Sequence, residues 1–189
     1  VGLVVMTMIS TAVADTISGM VNFGGNTHTA LIALAAATVG IVAWGVGAWV
    51  FGIPTSESHA LIAGLTGAAL AVNGNLDGVN MGEWMKVVYG LVFSTIAGFV
   101  AGWLVTKLIR TACRNVNRRN ADELFGRLQV IGAAGVALMH GAQDGQKFMS
   151  TAMMAIILAT GSTNMANVEF PLWIMVLCAG IMAIGTAVG

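Results

Sequence analysis

The stretch His140-Gly141-Ala142-Gln143-Asp144-Gly145-Gln146-Lys147 puts an imidazole, a carboxylate, two amides and an ammonium into one short run of chain. Long apolar runs lie on both sides of it. Polar and ionisable groups at membrane depth are costly unless they face a cavity, a partner or a bound ion. A cluster this dense is therefore read as a functional site. A second cluster, Pro54-Thr55-Ser56-Glu57-Ser58-His59, interrupts the chain in the same kind of setting. Two such interruptions predict helices broken inside the bilayer around a shared ion pocket.

The rest of the chain agrees with a membrane setting. Of its 189 residues, 57% are hydrophobic and only 8% charged, where soluble domains carry about 25% charged residues. Helices and closed barrels alone satisfy the backbone in lipid, and barrel-type alternation is absent, so the expected class is an all-α integral membrane protein. The 25 glycines suit close helix packing and helix breaks. The formal net charge of zero gives no support to nucleic-acid binding. Cys113 and Cys178 are far apart and read as unpaired thiols without metal spacing. No secretory signal pattern opens the chain. Val1 and Gly189 both fall in apolar runs, so both ends read as cuts through helices. The expectation is a single transmembrane domain, 1–189, from the interior of a longer chain.

Apolar segments run over about 1–14, 29–52, 59–72, 84–110, 124–139, 151–160 and 170–188. Those at 29–52, 84–110 and 170–188 approach or exceed the roughly 20 residues of a full span. The short runs 59–72 and 151–160 each follow a polar cluster and are expected to be re-entrant or discontinuous half-helices. The polar connection 106–127 holds Lys107, Arg110, Arg114, Arg118, Arg119 and Arg127, six of the eight basic residues. The positive-inside rule places it in the cytoplasm, as a topology determinant without a substrate role. The loops 20–28 and 73–83 lack basic residues and suit the opposite side.

In the first cluster, Pro54 suits a helix start and Ser56 an N-cap, with Ser58 and His59 in the first turn. The first N–H groups of that helix lack partners, and an anion can supply the acceptor with help from the helix dipole. The hydroxyls of Thr55, Ser56 and Ser58 add neutral donors. Glu57 favours the helix terminus but repels an anion; it points to a cation, a pairing with Lys147, or protonation. In the second cluster, Asp144 is expected to open another short helix after Gly141. Its carboxylate is a hard ligand suited to a cation such as sodium. Gln143 and Gln146 offer carbonyl oxygens to a cation or N–H donors to an anion. Lys147 has the spacing for a helical pair with Asp144. His140 is either a packing residue or a proton carrier. The scattered methionines read as core filler. No Ser-His-Asp, zinc or nucleotide-cradle motif is visible, so neither an enzyme nor a cofactor is expected.

At these two clusters the sequence resembles the PiT family of inorganic phosphate transporters. Gly52-Ile53-Pro54-Thr55-Ser56-Glu57-Ser58-His59-Ala60-Leu61 is similar to that family's Gly, apolar, Pro, apolar, Ser, Ser/Thr, Ser/Thr, His-Ala pattern. His140 to Met149 resembles its second-copy signature His-Gly-x-Asn-Asp-Ala-Gln-Lys-x-Met. Gln143 stands where the family has Asn, and Glu57 where it has Ser or Thr. The resemblance implies an inverted-repeat fold, with the motif partners of each cluster lying beyond Val1 and Gly189. The echo between Thr11-Ala12-Val13-Ala14 and Thr186-Ala187-Val188-Gly189 fits such a repeat. It also implies a multi-pass cell-membrane protein, a homodimer, that couples phosphate uptake to sodium or protons. Thr55, Ser56, Ser58, Gln143 and Gln146 would hold phosphate and Asp144 the coupling ion, with Glu57, His59, His140 and Lys147 as secondary candidates. Transport of another oxyanion such as sulfate, or a non-transporting membrane scaffold, are the alternatives.

Overall fold

The structure, a computed structural model, describes residues 1–24, 26–114, 118–161 and 170–188, with only the backbone described at 118–121 and 123. These residues form seven α-helices: α1 Gly2–Ile9, α2 Ala12–Gly19, α3 Thr27–Val50, α4 Glu57–Asn73, α5 Met81–Ala112, α6 Arg118–Ala159 and α7 Leu172–Val188. Among the described residues there is no strand, only an isolated antiparallel bridge between Val21 and Val79. The expected all-α membrane class holds. Three stretches, Thr27–Val50, Met81–Ala112 and Leu124–Ala159, are long and apolar enough to cross a bilayer. The bent pair α1–α2 makes a fourth if it is one broken span.

Local chemistry sets the helix ends. Asn26 caps α3 by accepting from the N–H groups of His28 and Thr29, and Asn80 caps α5 by accepting from those of Gly82 and Glu83. After α3, Gly52 takes φ 64°, and the N–H of Ile53 reaches back 2.8 Å to the Ala48 carbonyl. This is a left-handed helix stop, and Pro54 follows it because it cannot continue a helix. The chain then reverses into α4. Gly64 lets α4 close on α3, because a Cβ there would lie 2.7 Å from Ile41 Cγ1. Ile17, Met20, Phe23, Leu34, Leu65 and Met154 bury themselves where α2, α3, α4 and the end of α6 meet. A second core joins Leu3, Ala14, Met149 and Ile174.

The two loops without basic residues pair with each other. Asn22 N–H donates to the Gly78 carbonyl at 2.8 Å, and Asn80 N–H to that of Met20 at 2.9 Å. Asn73 Nδ2 donates to the Asn22 carbonyl at 3.0 Å. Helix α5 has no buried residue, and Tyr89, Phe93, Phe99 and Trp103 stand exposed along it. That is the surface a lipid-facing span presents. At its basic end Lys107 lies 4.8 Å from the centre of the Trp103 ring.

Several expectations are corrected. The segments 124–139 and 151–160 are not separate: both belong to α6, whose 42 residues span about 63 Å. Asp144 therefore opens no half-helix; it sits in the middle of a continuous one. Gly141 and Gly145 do not break α6, because its backbone hydrogen bonds run through and both glycines serve as contact points for α1. The break falls instead within 1–14, where α1 and α2 meet at 82°. The segment 170–188 forms a helix of 17 residues, shorter than the stretches counted as spans. The connection 106–127 is mostly helix, α5 running to Ala112 and α6 starting at Arg118; residues 115–117 and the side chains of Arg118, Arg119 and Glu123 lie outside the described residues.

Candidate functional site

Continuity of α6 decides which side chains meet. Helical periodicity puts residues i, i+4 and i+7 on one stripe, so His140, Asp144 and Lys147 face the same way. Asp144 Oδ2 lies 2.9 Å from His140 Nδ1, and Asp144 Oδ1 accepts from Lys147 Nζ at 2.7 Å. The Lys147 ammonium also donates to Ser58 Oγ, which joins α6 to the first turn of α4. The side chains of Lys147 and Asp144 are only 19% and 21% exposed. Their attraction thus acts in a medium that screens it less than water does.

Ser56 is the N-cap of α4 and accepts from the His59 N–H at 3.3 Å. The capping residue expected from sequence is the one observed. Replacing Ser56 with Ala should lower thermal stability by about 1 kcal/mol, the usual worth of such a cap, measurable as a shifted unfolding midpoint in detergent. Thr55 Oγ1 accepts from Trp44 Nε1 at 2.8 Å, which anchors the turn to α3. A cavity of about 890 Å³ opens beside this terminus. Thr55, Ser56, Glu57 and Ser58 line one wall, His140 and Asp144 another, and Cys178, Met182 and Thr186 of α7 close it. A smaller cavity of about 310 Å³ lies on the other side of the ion pair, bordered by Ile41, Val42, Leu61, Glu57, Asp144 and Lys147. Glu57, Asp144 and Phe148 border both spaces.

The structure thus brings together Thr55, Ser56, Glu57, Ser58, His140, Asp144 and Lys147. His59 is exposed and reaches this cluster only through its backbone N–H. It does not bring in the two glutamines. Gln143 is exposed and borders a shallow pocket with Gly132, Gly135 and Val136. Gln146 is 3% exposed, and its Nε2 donates to the Ser10 carbonyl at 2.7 Å and to Thr7 Oγ1 at 3.5 Å. The reason is the unbroken helix, which turns Gln146 away from the His140–Asp144–Lys147 stripe toward α1. Ser150, fully buried, donates from its hydroxyl to the Ala14 carbonyl at 2.9 Å on that same side. Sequence reasoning missed this clamp on the α1–α2 break. Its signal was Thr7, Ser10 and Thr11, three hydroxyl residues inside an apolar run.

Among the described residues no group of three or more His, Cys, Asp or Glu side chains could hold a metal ion. The site as built offers two carboxylates, Glu57 and an Asp144 with both oxygens engaged, together with an ammonium, an imidazole, hydroxyls and the free N–H groups of a helix terminus. That set suits a small oxyanion held beside a compensating cation.

Comparison with known proteins gives a consistent picture. The model of the phosphate transporter family matches residues 1–189. A probable low-affinity inorganic phosphate transporter of Bacillus subtilis (strain 168) is 32% identical over 182 residues, 96% of this chain and 54% of the relative. One from Mycobacterium bovis is 36% identical over 182 residues, 96% of this chain and 43% of the relative. The low-affinity inorganic phosphate transporter PitB of Escherichia coli (strain K12) is 33% identical over 155 residues, 70% of this chain and 31% of the relative. The chain spans about half the length of the first two relatives. No solved structure matches.

Proposed function

Because the chain belongs to the phosphate transporter family, a family of carriers and not of enzymes, we propose that the protein moves inorganic phosphate across a membrane by coupling it to a cation. One observation supports this above the others. The capped N-terminus of α4, with Ser56 and Ser58, shares a cavity with Asp144. Phosphate is held at Thr55, Ser56, Ser58 and the free N–H groups of the first turn, where the helix dipole favours an anion. Asp144 takes the coupling ion, sodium or a proton. Gln143 and Gln146 stay outside this reading of the anion pocket in the conformation described. Neutral donors hold an oxyanion without trapping it, which a carrier requires because it must release its cargo.

A bound cation offsets the charge of the anion beside it, so each raises the affinity for the other. Rocking of one repeat against the other then exposes the site alternately to the two sides. The echo of Thr11-Ala12-Val13-Ala14 in Thr186-Ala187-Val188-Gly189 supports the inverted repeat. The basic residues of 106–127 support a cytoplasmic position for that connection and insertion in the cell membrane. The test is uptake of radiolabelled phosphate into liposomes holding the full-length protein, with a sodium gradient, a proton gradient or neither. Sulfate is added as competitor. Accumulation driven by one gradient and insensitive to sulfate is expected. Equal uptake in protein-free liposomes would remove the transport reading, and full competition by sulfate would broaden the substrate to oxyanions in general.

A further inference from the structure

We propose that Lys147 is a movable counter-charge: it neutralises Asp144 while the site is empty and passes to the bound anion once a cation has neutralised Asp144. The proposal rests on the transport reading above and names how the two cargoes sense each other. Lys147 Nζ is 2.7 Å from Asp144 Oδ1 and also donates to Ser58 Oγ on α4. A structural pair within one helix needs no partner on a second helix. This one has such a partner, and it is the residue in the first turn of α4, where the unpaired N–H groups favour an anion. The ammonium already touches Ser58, which lines the cavity at the anion end, while its charge is spent on Asp144.

The energetics make the exchange reciprocal. Lys147 borders a space walled by Ile41, Val42 and Leu61, and an uncompensated charge in such surroundings is strongly unfavourable. When Asp144 loses its charge to a bound cation, the ammonium needs another counter-ion, and an oxyanion at Ser56 and Ser58 lies within reach of its flexible stem. When the anion arrives first, it draws Lys147 away and leaves Asp144 without its ammonium partner, which attracts the cation. His140 Nδ1 lies 2.9 Å from the other carboxylate oxygen, Asp144 Oδ2. Glu57 borders both cavities and opposes the anion. An anion that enters while Lys147 is still committed to Asp144 therefore meets a repulsive site. Cation binding lifts that condition, and linkage requires phosphate to raise cation affinity by the same factor.

The experiment is calorimetric titration of inorganic phosphate into the full-length protein, with and without sodium. Asn at position 144 mimics a neutralised carboxylate. Asp144→Asn should tighten phosphate binding in the absence of sodium by about tenfold relative to wild type, and sodium should no longer change it. The Asp144→Asn/Lys147→Met double variant removes both charges together, so neither is left bare. It should bind phosphate without sodium dependence and at least about tenfold more weakly than wild type in sodium. Sodium-free affinity in Asp144→Asn equal to or below that of wild type overturns the proposal, as does wild-type affinity in the double variant. If wild type binds phosphate in sodium and these variants fail their predictions, only the counter-charge is lost. If wild type binds no phosphate in either condition, the transport reading itself falls.

Discussion

Asp144→Asn should bring gradient-driven phosphate uptake in liposomes down to the level of protein-free vesicles, although the same change tightens sodium-free phosphate binding. The carboxylate is the only acidic group on the His140–Asp144–Lys147 stripe, and both its oxygens are engaged. Truncating one member of a buried, hydrogen-bonded charge pair typically changes an equilibrium by about 2–5 kcal/mol, and this pair, about one-fifth exposed, should fall at the lower end, roughly 30-fold. Here that energy links the cation to the anion. Without it phosphate can still bind, but the cation gradient has nothing to act on, and accumulation stops. Asn retains the shape and an acceptor for Lys147 Nζ, so the variant should elute as a single folded species from size-exclusion chromatography. Uptake within twofold of wild type, from vesicles holding equal amounts of protein, would exclude Asp144 as the coupling residue.

Gln146→Leu should act on the fold instead. The Gln146 amide supplies a donor to the Ser10 carbonyl one residue past the end of α1, where the 82° bend frees the backbone. The bond itself is partly buried; an acceptor left without a partner costs about 1–3 kcal/mol where water cannot reach it, and lipid supplies none. The unfolding midpoint in detergent should fall accordingly, while the folded fraction keeps its phosphate affinity. The opposite result, normal stability with phosphate binding lost, would return Gln146 to the anion pocket where its place in the motif first put it. Ser150→Ala should behave like a milder version, because Ser18 also donates to the Ala14 carbonyl, at 2.9 Å.

Much of this was legible in the chain because it follows from solvent and local geometry. A sequence with 8% charged residues has to be solvated by lipid, and lipid admits few backbone arrangements. Ser56 was legible as a cap because N-capping depends on the residue type at one position and on the turn that follows it. The spans expected at 29–52 and 84–110 followed from apolar length, and the helices run over Thr27–Val50 and Met81–Ala112. The Asp144–Lys147 pair followed from its spacing, once a helix was assumed; the contact of His140 with Asp144 came from the structure. The glutamines lie apart from the cavity in this conformation, and the break expected at Asp144 was misplaced because density of polar residues was taken as a sign of broken backbone. A long helix can carry the same cluster intact if it faces two environments at once, a cavity on one stripe and a bent neighbour on the other.

The sequence by itself determined the membrane setting, the helical class and the residues that carry charge, since each depends on composition or on contacts a few positions apart. Only the tertiary structure decided where the chain breaks and which face of α6 does what. Gly145 allows Leu3 to sit where a Cβ would come within 2.9 Å, and this close approach of α1 brings the Ser10 carbonyl to Gln146. Contacts across more than a hundred residues have no trace in local periodicity, because they depend on how separate helices pack and not on how any one of them forms.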